Sequence, residues 1–162
     1  NDEFIQFCLE FTLLQGTSTK AVRSYTCWFA HHNVIAGYTH EGQVLGAGIG
    51  PGSNMQSAMV SWVKGLKRIG LSVERTLHNN DLYYQAFGSS TTADFRRHWV
   101  DLAFVGNVSW DFNRFVLNAN AGYIRSLNYQ YQFSNQSSTD IFVWDKADIN
   151  NLHLKIGLMY RW

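Results

Sequence analysis

The sequence predicts an all-β protein, an antiparallel transmembrane β-barrel of the outer-membrane type, with about six strands in this chain. Three observations predict it. Apolar residues recur at every second position over stretches long enough to cross a bilayer when tilted. The connections between these stretches alternate strictly between long and short, the wiring of a barrel with long outer loops and short periplasmic turns. Outward-facing aromatic residues gather at the strand ends and leave aliphatic residues between them, as in the girdles of a lipid-facing wall. A soluble sandwich would instead bury its largest aromatics near mid-strand.

Composition agrees. The 162 residues are 46% hydrophobic and 15% aromatic, with a single Pro, yet the mean hydropathy is only −0.20. No apolar run reaches the roughly eighteen residues of a membrane-crossing helix. A formal net charge of +1 argues against a nucleic-acid partner. Cys8 and Cys27 are too few for a disulfide framework, and whether they pair in an oxidising compartment stays open. Their spacing suggests no metal site or catalytic thiol, and no cofactor is expected. The chain starts Asn1-Asp2-Glu3, with neither Met nor a secretion signal, which predicts an upstream portion outside it.

The first strand is expected near residues 3–14, where Ile5, Phe7, Leu9, Phe11 and Leu13 alternate with Gln6, Glu10 and Thr12. Residues 15–55 then form a long connection rich in Gly, Ser, Asn and His. Within it Val22, Tyr25 and Phe29 share a helical face, which predicts a short helix inside Thr19–Asn33. The second strand, 56–63, sets Ala58, Val60 and Trp62 against Ser57 and Ser61. Lys64-Gly65-Leu66-Lys67 is a tight turn into the third strand, 68–77, with Ile69, Leu71 and Val73 opposite Gly70, Ser72, Glu74 and Thr76. A second long connection, 78–97, carries His78-Asn79-Asn80-Asp81 and Tyr83, Tyr84 and Phe87.

The fourth strand, 98–110, places Val100, Leu102, Phe104, Val108 and Trp110 on one face and Asp101, Asn107 and Ser109 on the other. A short turn at Asp111-Phe112-Asn113-Arg114 leads to the fifth, 115–131, with Leu117, Ala119, Ala121 and Tyr123 opposite Asn118, Asn120 and Gly122. A third long connection spans 132–150. Trp62, Trp110, Phe115, Tyr160 and Trp162 lie beside a short turn or the chain end, and Tyr129 and Tyr131 at the opposite end of their strand.

In the last strand, 151–162, Leu152, Leu154, Ile156, Leu158, Tyr160 and Trp162 alternate with residues that include His153, Lys155 and Arg161. It resembles the C-terminal signal by which outer-membrane barrels are recognised by their assembly machinery, with Lys155, Gly157, Tyr160 and Trp162 at the signal positions. Six strands are an incomplete wall, because every edge group in lipid must be paired and the smallest bacterial barrels have about eight strands. The chain therefore reads as the C-terminal segment of a larger barrel in the bacterial outer membrane. Outer-membrane lipid would surround its wall, its loops would face the exterior, and its C-terminus the periplasm.

The run Gly37-Tyr38-Thr39-His40-Glu41-Gly42-Gln43-Val44-Leu45-Gly46-Ala47-Gly48-Ile49-Gly50-Pro51-Gly52-Ser53-Asn54 resembles the outer-membrane capsule assembly proteins of the Wzi family, particularly their Bacteroidota branch. So do Ser61 to Leu71, Glu74-Arg75, His78-Asn79-Asn80-Asp81 and His98-Trp99-Val100-Asp101-Leu102. The resemblance covers roughly Tyr25 to the C-terminus. It implies a large barrel with a periplasmic helical portion upstream and a role in holding capsular polysaccharide at the cell surface. The upstream strands and helices of that family are not in this chain.

Gripping a polysaccharide takes hydrogen-bonding side chains for hydroxyls or uronate carboxylates, and aromatic faces for sugar rings. The long connections offer Trp28, His31, His32, Tyr38, His40, Gln43, Asn79, Asn80, Asp81, Tyr83, Tyr84 and Trp144. The competing role for each is simply to fold the loops over the barrel mouth. The glycines from Gly46 to Gly52 lack the strand-to-helix context of a phosphate cradle, and a loop packed backbone-close or turning sharply into the next strand accounts for them better. His31-His32, His40 and His78 have no familiar metal-ligand spacing. No local motif joins a Ser, a His and an Asn, so the chain is expected not to be an enzyme. The inward Gln6, Glu10, Glu74, Thr76, Asp101, Asn107, Asn118, Asn120, His153, Lys155 and Arg161 fit a wet or loop-plugged lumen, which supports a porin or solute channel as the alternative. The two readings separate on whether the Gly-rich run folds inward over the pore.

Overall fold

The structure, a computed structural model, describes residues 3–16, 39–41, 43–46, 48–87, 98–131 and 148–161. Its frame is one six-stranded antiparallel sheet. In chain order the elements are β1 (Glu3–Leu13), the short strands β2 (Thr39–His40) and β3 (Gln43–Val44), β4 (Asn54–Lys64), β5 (Lys67–Leu77), the helix α1 (Asn80–Phe87), β6 (Val100–Phe112), β7 (Phe115–Leu127), a single 3-10 turn (Tyr129–Tyr131) and β8 (Ile149–Tyr160). The sheet order is β1-β4-β5-β6-β7-β8, an up-and-down meander, and β2–β3 is a separate two-stranded hairpin. No helix among the described residues is long and apolar enough to cross a membrane.

The two short turns have two residues each. Gly65 (φ 60) leads the β4–β5 turn and Asn113 (φ 63) the β6–β7 turn. Positive φ at the first turn position alone fits a type II′ hairpin, whose twist matches that of the strands. The β6–β7 turn is held from β8, for Arg161 donates its N–H to Arg114 O at 2.7 Å and its guanidinium to Asn113 O at 2.9 Å.

Because cross-strand partners share a face, the register sorts every side chain. Three successive rows are apolar from edge to edge: Ile5–Trp62–Ile69–Val108–Ala119–Ile156, then Phe7–Val60–Leu71–Gly106–Ala121–Leu154, then Leu9–Ala58–Val73–Phe104–Tyr123–Leu152. On the turn side this band ends at Glu3, Lys64 and Lys67 on β1, β4 and β5, while the same row on β6, β7 and β8 carries Trp110, Leu117 and Leu158. Here Trp62 donates its Nε1–H to Glu3 at 2.8 Å, and Lys67 Nζ lies 4.8 Å from the centre of the Trp110 ring. On the loop side the band ends at Gln56, Arg75, Arg125 and Asn150, in register on four strands. The Tyr123 hydroxyl reaches into that row to Asn150 at 2.7 Å. The band is uncovered, with Leu71 64% and Ile156 66% exposed.

The opposite face carries the polar alternates, for example Gln6–Ser61–Gly70–Asn107–Asn120–Lys155. A single trough on it is lined from both edge strands, Gln6 of β1 and His153 of β8 among them, so the sheet curls with its polar face inward. β1 and β8 are edges of an open sheet and are exposed along nearly their whole length. Among the described residues only Leu77, Tyr83 and Ala103 are buried apolar side chains. The densest packing thus lies at the loop end, not against either face.

The element boundaries correct the sequence reading in three places. The connection expected at 78–97 contains α1. Asn79 caps it, accepting the Leu82 N–H on its side-chain oxygen at 3.2 Å. The strand expected to run to residue 131 ends at Leu127, because Asn128, Gln130 and Tyr131 all have positive φ and turn the chain off the sheet. Tyr129 and Tyr131 therefore form no outward aromatic band; Tyr131 turns in, and its hydroxyl donates to His78 O at 2.6 Å. Strands 56–63 and 98–110 are shifted to 54–64 and 100–112. The helix expected within Thr19–Asn33 lies outside the described residues, as does Cys27; Cys8 is an exposed free thiol.

Candidate functional site

The long connections meet at one end of the sheet, where most of the buried polar groups gather. Three backbone segments are latched together there. Leu14 N donates to Ser53 O at 2.9 Å and Asn80 N to Gly52 O at 2.7 Å. Asn79 N donates to the Ser53 hydroxyl at 3.0 Å. The Gln15 side-chain oxygen accepts from both Asn54 Nδ2 (2.6 Å) and Asn80 Nδ2 (3.0 Å). Asp81, only 2% exposed, receives the Gly16 N–H at 3.0 Å from each carboxylate oxygen. A buried carboxylate needs such donors, and in the first turn of α1 it also meets the positive end of the helix dipole.

A second cluster surrounds Asp101. Its carboxylate accepts from His78 Nε2 at 2.7 Å, from Trp99 Nε1 at 3.1 Å and from Ser126. The His78 ring stacks on Trp99 at 4.0 Å, and Tyr129 and Tyr131 meet Trp99 edge-on at 5.4 and 5.9 Å. Burial pushes the Tyr131 phenol up to about 12, so it remains a donor to the His78 and Asn79 carbonyls. His78 and Ser126 both bond the same carboxylate. A nucleophile would need its serine on the imidazole instead.

Next to this cluster Tyr83, buried, stacks on His98 at 3.5 Å, and Tyr84 lies edge-on to both rings. Burial first, and the Arg75 charge second, hold His98 below its ordinary value of 6.5. The folded state thus favours the neutral ring. The stabilisation is fully present above pH 6.5 and is lost as the pH falls from there toward the lowered folded value. The thermal midpoint of the protein is expected to drop between pH 7.5 and 5.5, and His98→Phe, which keeps the stacking ring, to make that drop smaller. An identical pH slope in the variant would remove His98 from the account.

The sequence-predicted residues divide sharply in this geometry. Asn79, Asn80 and Asp81 are brought together: the Asn80 and Asp81 side chains tie to Gln15 and Gly16, and that of Asn79 caps α1. Tyr84 is 44% exposed at the same end. His40 stands exposed on the β2–β3 hairpin, its Nε2 4.0 Å from Glu41; Gln43 pairs with it in the backbone. Trp28, His31, His32, Tyr38 and Trp144 lie outside the described residues. Of the expected assembly signal, Lys155 and Gly157 fall on the polar face and Tyr160 on the apolar face, its ring 5.2 Å from Phe115; Trp162 is not described.

Sequence reasoning passed over Gln15 and Gly16, and quoted His98 and Trp99 only for the family resemblance without placing them in a site. For Gln15 and Gly16 the signal was proximity to a strand end, where polar residues close off a sheet. The glycines of the run 46–52 gain their explanation at Gly52, whose φ of +66 turns the chain into β4 and whose backbone packs against Asn79 and Asp81. No protein-family model, curated protein or solved structure matches this chain.

Proposed function

We propose that this chain is a section of an outer-membrane β-barrel wall, without enzymatic activity, whose loop end retains capsular polysaccharide at the cell surface. The apolar band, bounded by polar side chains at both ends on β4 and β5, carries the membrane part of this reading. Lys67 and Arg75 bound the band on β5, eight positions apart, which is about 27 Å along a strand. Tilted as barrel strands are, that spans about 21 Å, close to the roughly 25 Å lipid-facing belt of such barrels. In lipid the free edges of β1 and β8 would each need a partner strand, so the wall extends beyond these six strands. The barrel assembly machinery is the partner that the last strand would engage.

The polysaccharide part is supported by the resemblance to the Wzi family and by the rings gathered at the loop end, with Tyr84 exposed beside His98. Replacing His40 and Tyr84 together with Ala is expected to lower surface-bound capsular polysaccharide several-fold at unchanged barrel levels. Unchanged retention would remove both residues.

One observation favours the second reading, a solute channel. Among the described residues the trough on the polar face is lined by strands and by the β4–β5 turn, and none of its lining comes from the Gly-rich run. Conductance in a planar bilayer separates the two. A silent barrel that pulls down the polysaccharide supports retention, whereas steady current indifferent to polysaccharide supports the channel.

A further inference from the structure

We infer that the polar, concave face carries a binding site for a carboxylate-bearing oligosaccharide, distinct from the loop end. The trough there measures about 1080 Å³, at the upper end of the roughly 300–1,000 Å³ typical of ligand sites. Its charge has one sign. Arg68 of β5 and Lys155 of β8 line it, and neither has a carboxylate within ion-pair reach among the described residues. Of the acids on the same face, Glu10 and Glu74 sit in register across Ser57 and Asp101 opposite Thr76, all in rows nearer the loops, while Asp111, opposite Val116, lies at the turn end outside the lining. Three of the four acids thus stand away from the trough, and the cations among its lining residues draw an anion to it.

Between the two cations stand amides. Arg68 and Lys155 are three strands and two residues of register apart, about 16 Å across the sheet, and Asn107, Asn118 and Asn120 occupy the strands between. Asn120 donates its Nδ2–H to Asn107 Oδ1, which leaves the Asn107 amino group as donor and the Asn120 carbonyl as acceptor for a ligand. Guanidinium and ammonium suit carboxylates, and amides suit sugar hydroxyls. Arg68 is already steadied, its guanidinium 3.2 Å from Gln6 Oε1 and 3.7 Å from Met59 Sδ, so less side-chain freedom is lost on binding. Gly157 keeps the β8 side open, and a Cβ built there meets nothing within 4 Å.

The test is calorimetric titration of the folded, detergent-purified protein with tetragalacturonate and with maltotetraose, a neutral chain of equal length. Tetragalacturonate is expected to bind at least tenfold more tightly. The double variant Arg68→Gln/Lys155→Gln is expected to lose that preference. Gly157→Leu, whose Cβ enters open space, is expected to weaken binding at least tenfold with the far-ultraviolet spectrum unchanged. Measuring on folded protein sets aside any effect of Lys155 or Gly157 on assembly. Equal binding of the two sugars, or undiminished tetragalacturonate affinity in the double variant, would overturn the site. So would displacement of the sugar by an equal concentration of inorganic phosphate, which marks a general anion site. Loss of binding in His40→Ala/Tyr84→Ala, with none in the trough variants, would assign the acidic sugar to the loops, overturning this site and sparing the loop reading.

Discussion

Leu71→Arg is expected to destabilise the protein in lipid vesicles by about 2–4 kcal/mol, the cost of an arginine at the midplane of a barrel's lipid face. Leu71 sits in the middle of the three apolar rows, flanked in register by Val60 and Gly106. On a water-facing surface the same change would stay within about 0.5 kcal/mol, so the size of the effect reports the solvent. Ser72→Arg, one residue on and on the polar face, is the matched control and should cost little. A depth series sharpens the test. Leu158, in line with Leu117, Trp110 and the charged Lys67 and Lys64 at the turn end of the band, should tolerate Arg at about 0–1 kcal/mol. Urea unfolding of the three variants in vesicles measures this. A flat profile from Leu71 to Leu158 would mean that another protein layer, not lipid, covers the band.

Rows such as these explain why the antiparallel sheet was legible in the sequence. A period of two fixes which residues share a face, and the two-residue turns at Gly65-Leu66 and Asn113-Arg114 fix the register between neighbours. The turns set Trp62 against Ile69 and Val108 against Ala119, whereas across β1–β4, β5–β6 and β7–β8, which long connections join, alternation fixes the shared face and not the partner. The loop end was not legible, because its contacts obey no period. Gln15 meets Asn54 and Asn80 from distant parts of the chain, and Asp81 accepts from Gly16, 65 positions away. A local reading sees His78-Asn79-Asn80-Asp81 as a polar loop with ligand-binding side chains. It does not see that the Asn79 oxygen and the Asp81 carboxylate are taken by the backbone N–H groups of Leu82 and Gly16, and that the Asn80 amide donates to the Gln15 side chain. Tyr129 and Tyr131 failed for a related reason. Alternation carried the strand past Leu127, and only the left-handed backbone at Asn128, Gln130 and Tyr131, invisible to hydropathy, takes it off the sheet.

The loop latch yields the second large effect. Gly52→Ala is expected to open the loop end locally at a cost of about 2–4 kcal/mol, from left-handed strain and a forced contact together. The added Cβ would lie 2.5 Å from Asn79 Oδ1 and 3.2 Å from Asp81 Cβ. Neither neighbour can yield cheaply. Moving the Asn79 oxygen breaks the cap on Leu82, and moving Asp81 strips the Gly16 N–H of its acceptor. Amide exchange at Gly16, Asn80 and Leu82 should therefore accelerate by about 30- to 1,000-fold, at a factor of ten per 1.4 kcal/mol, with the amides of Leu71 and Phe104 unchanged. Gly50→Ala separates the two causes. Gly50 also has positive φ (+81), but its Cβ would approach nothing nearer than the Ser53 hydroxyl at 3.9 Å, so strain acts alone and the acceleration should be smaller. Equal acceleration in the two variants would mean that the Asn79–Asp81 contact contributes nothing. Unchanged protection at Gly16 in Gly52→Ala would mean that the three segments are not latched at this point at all.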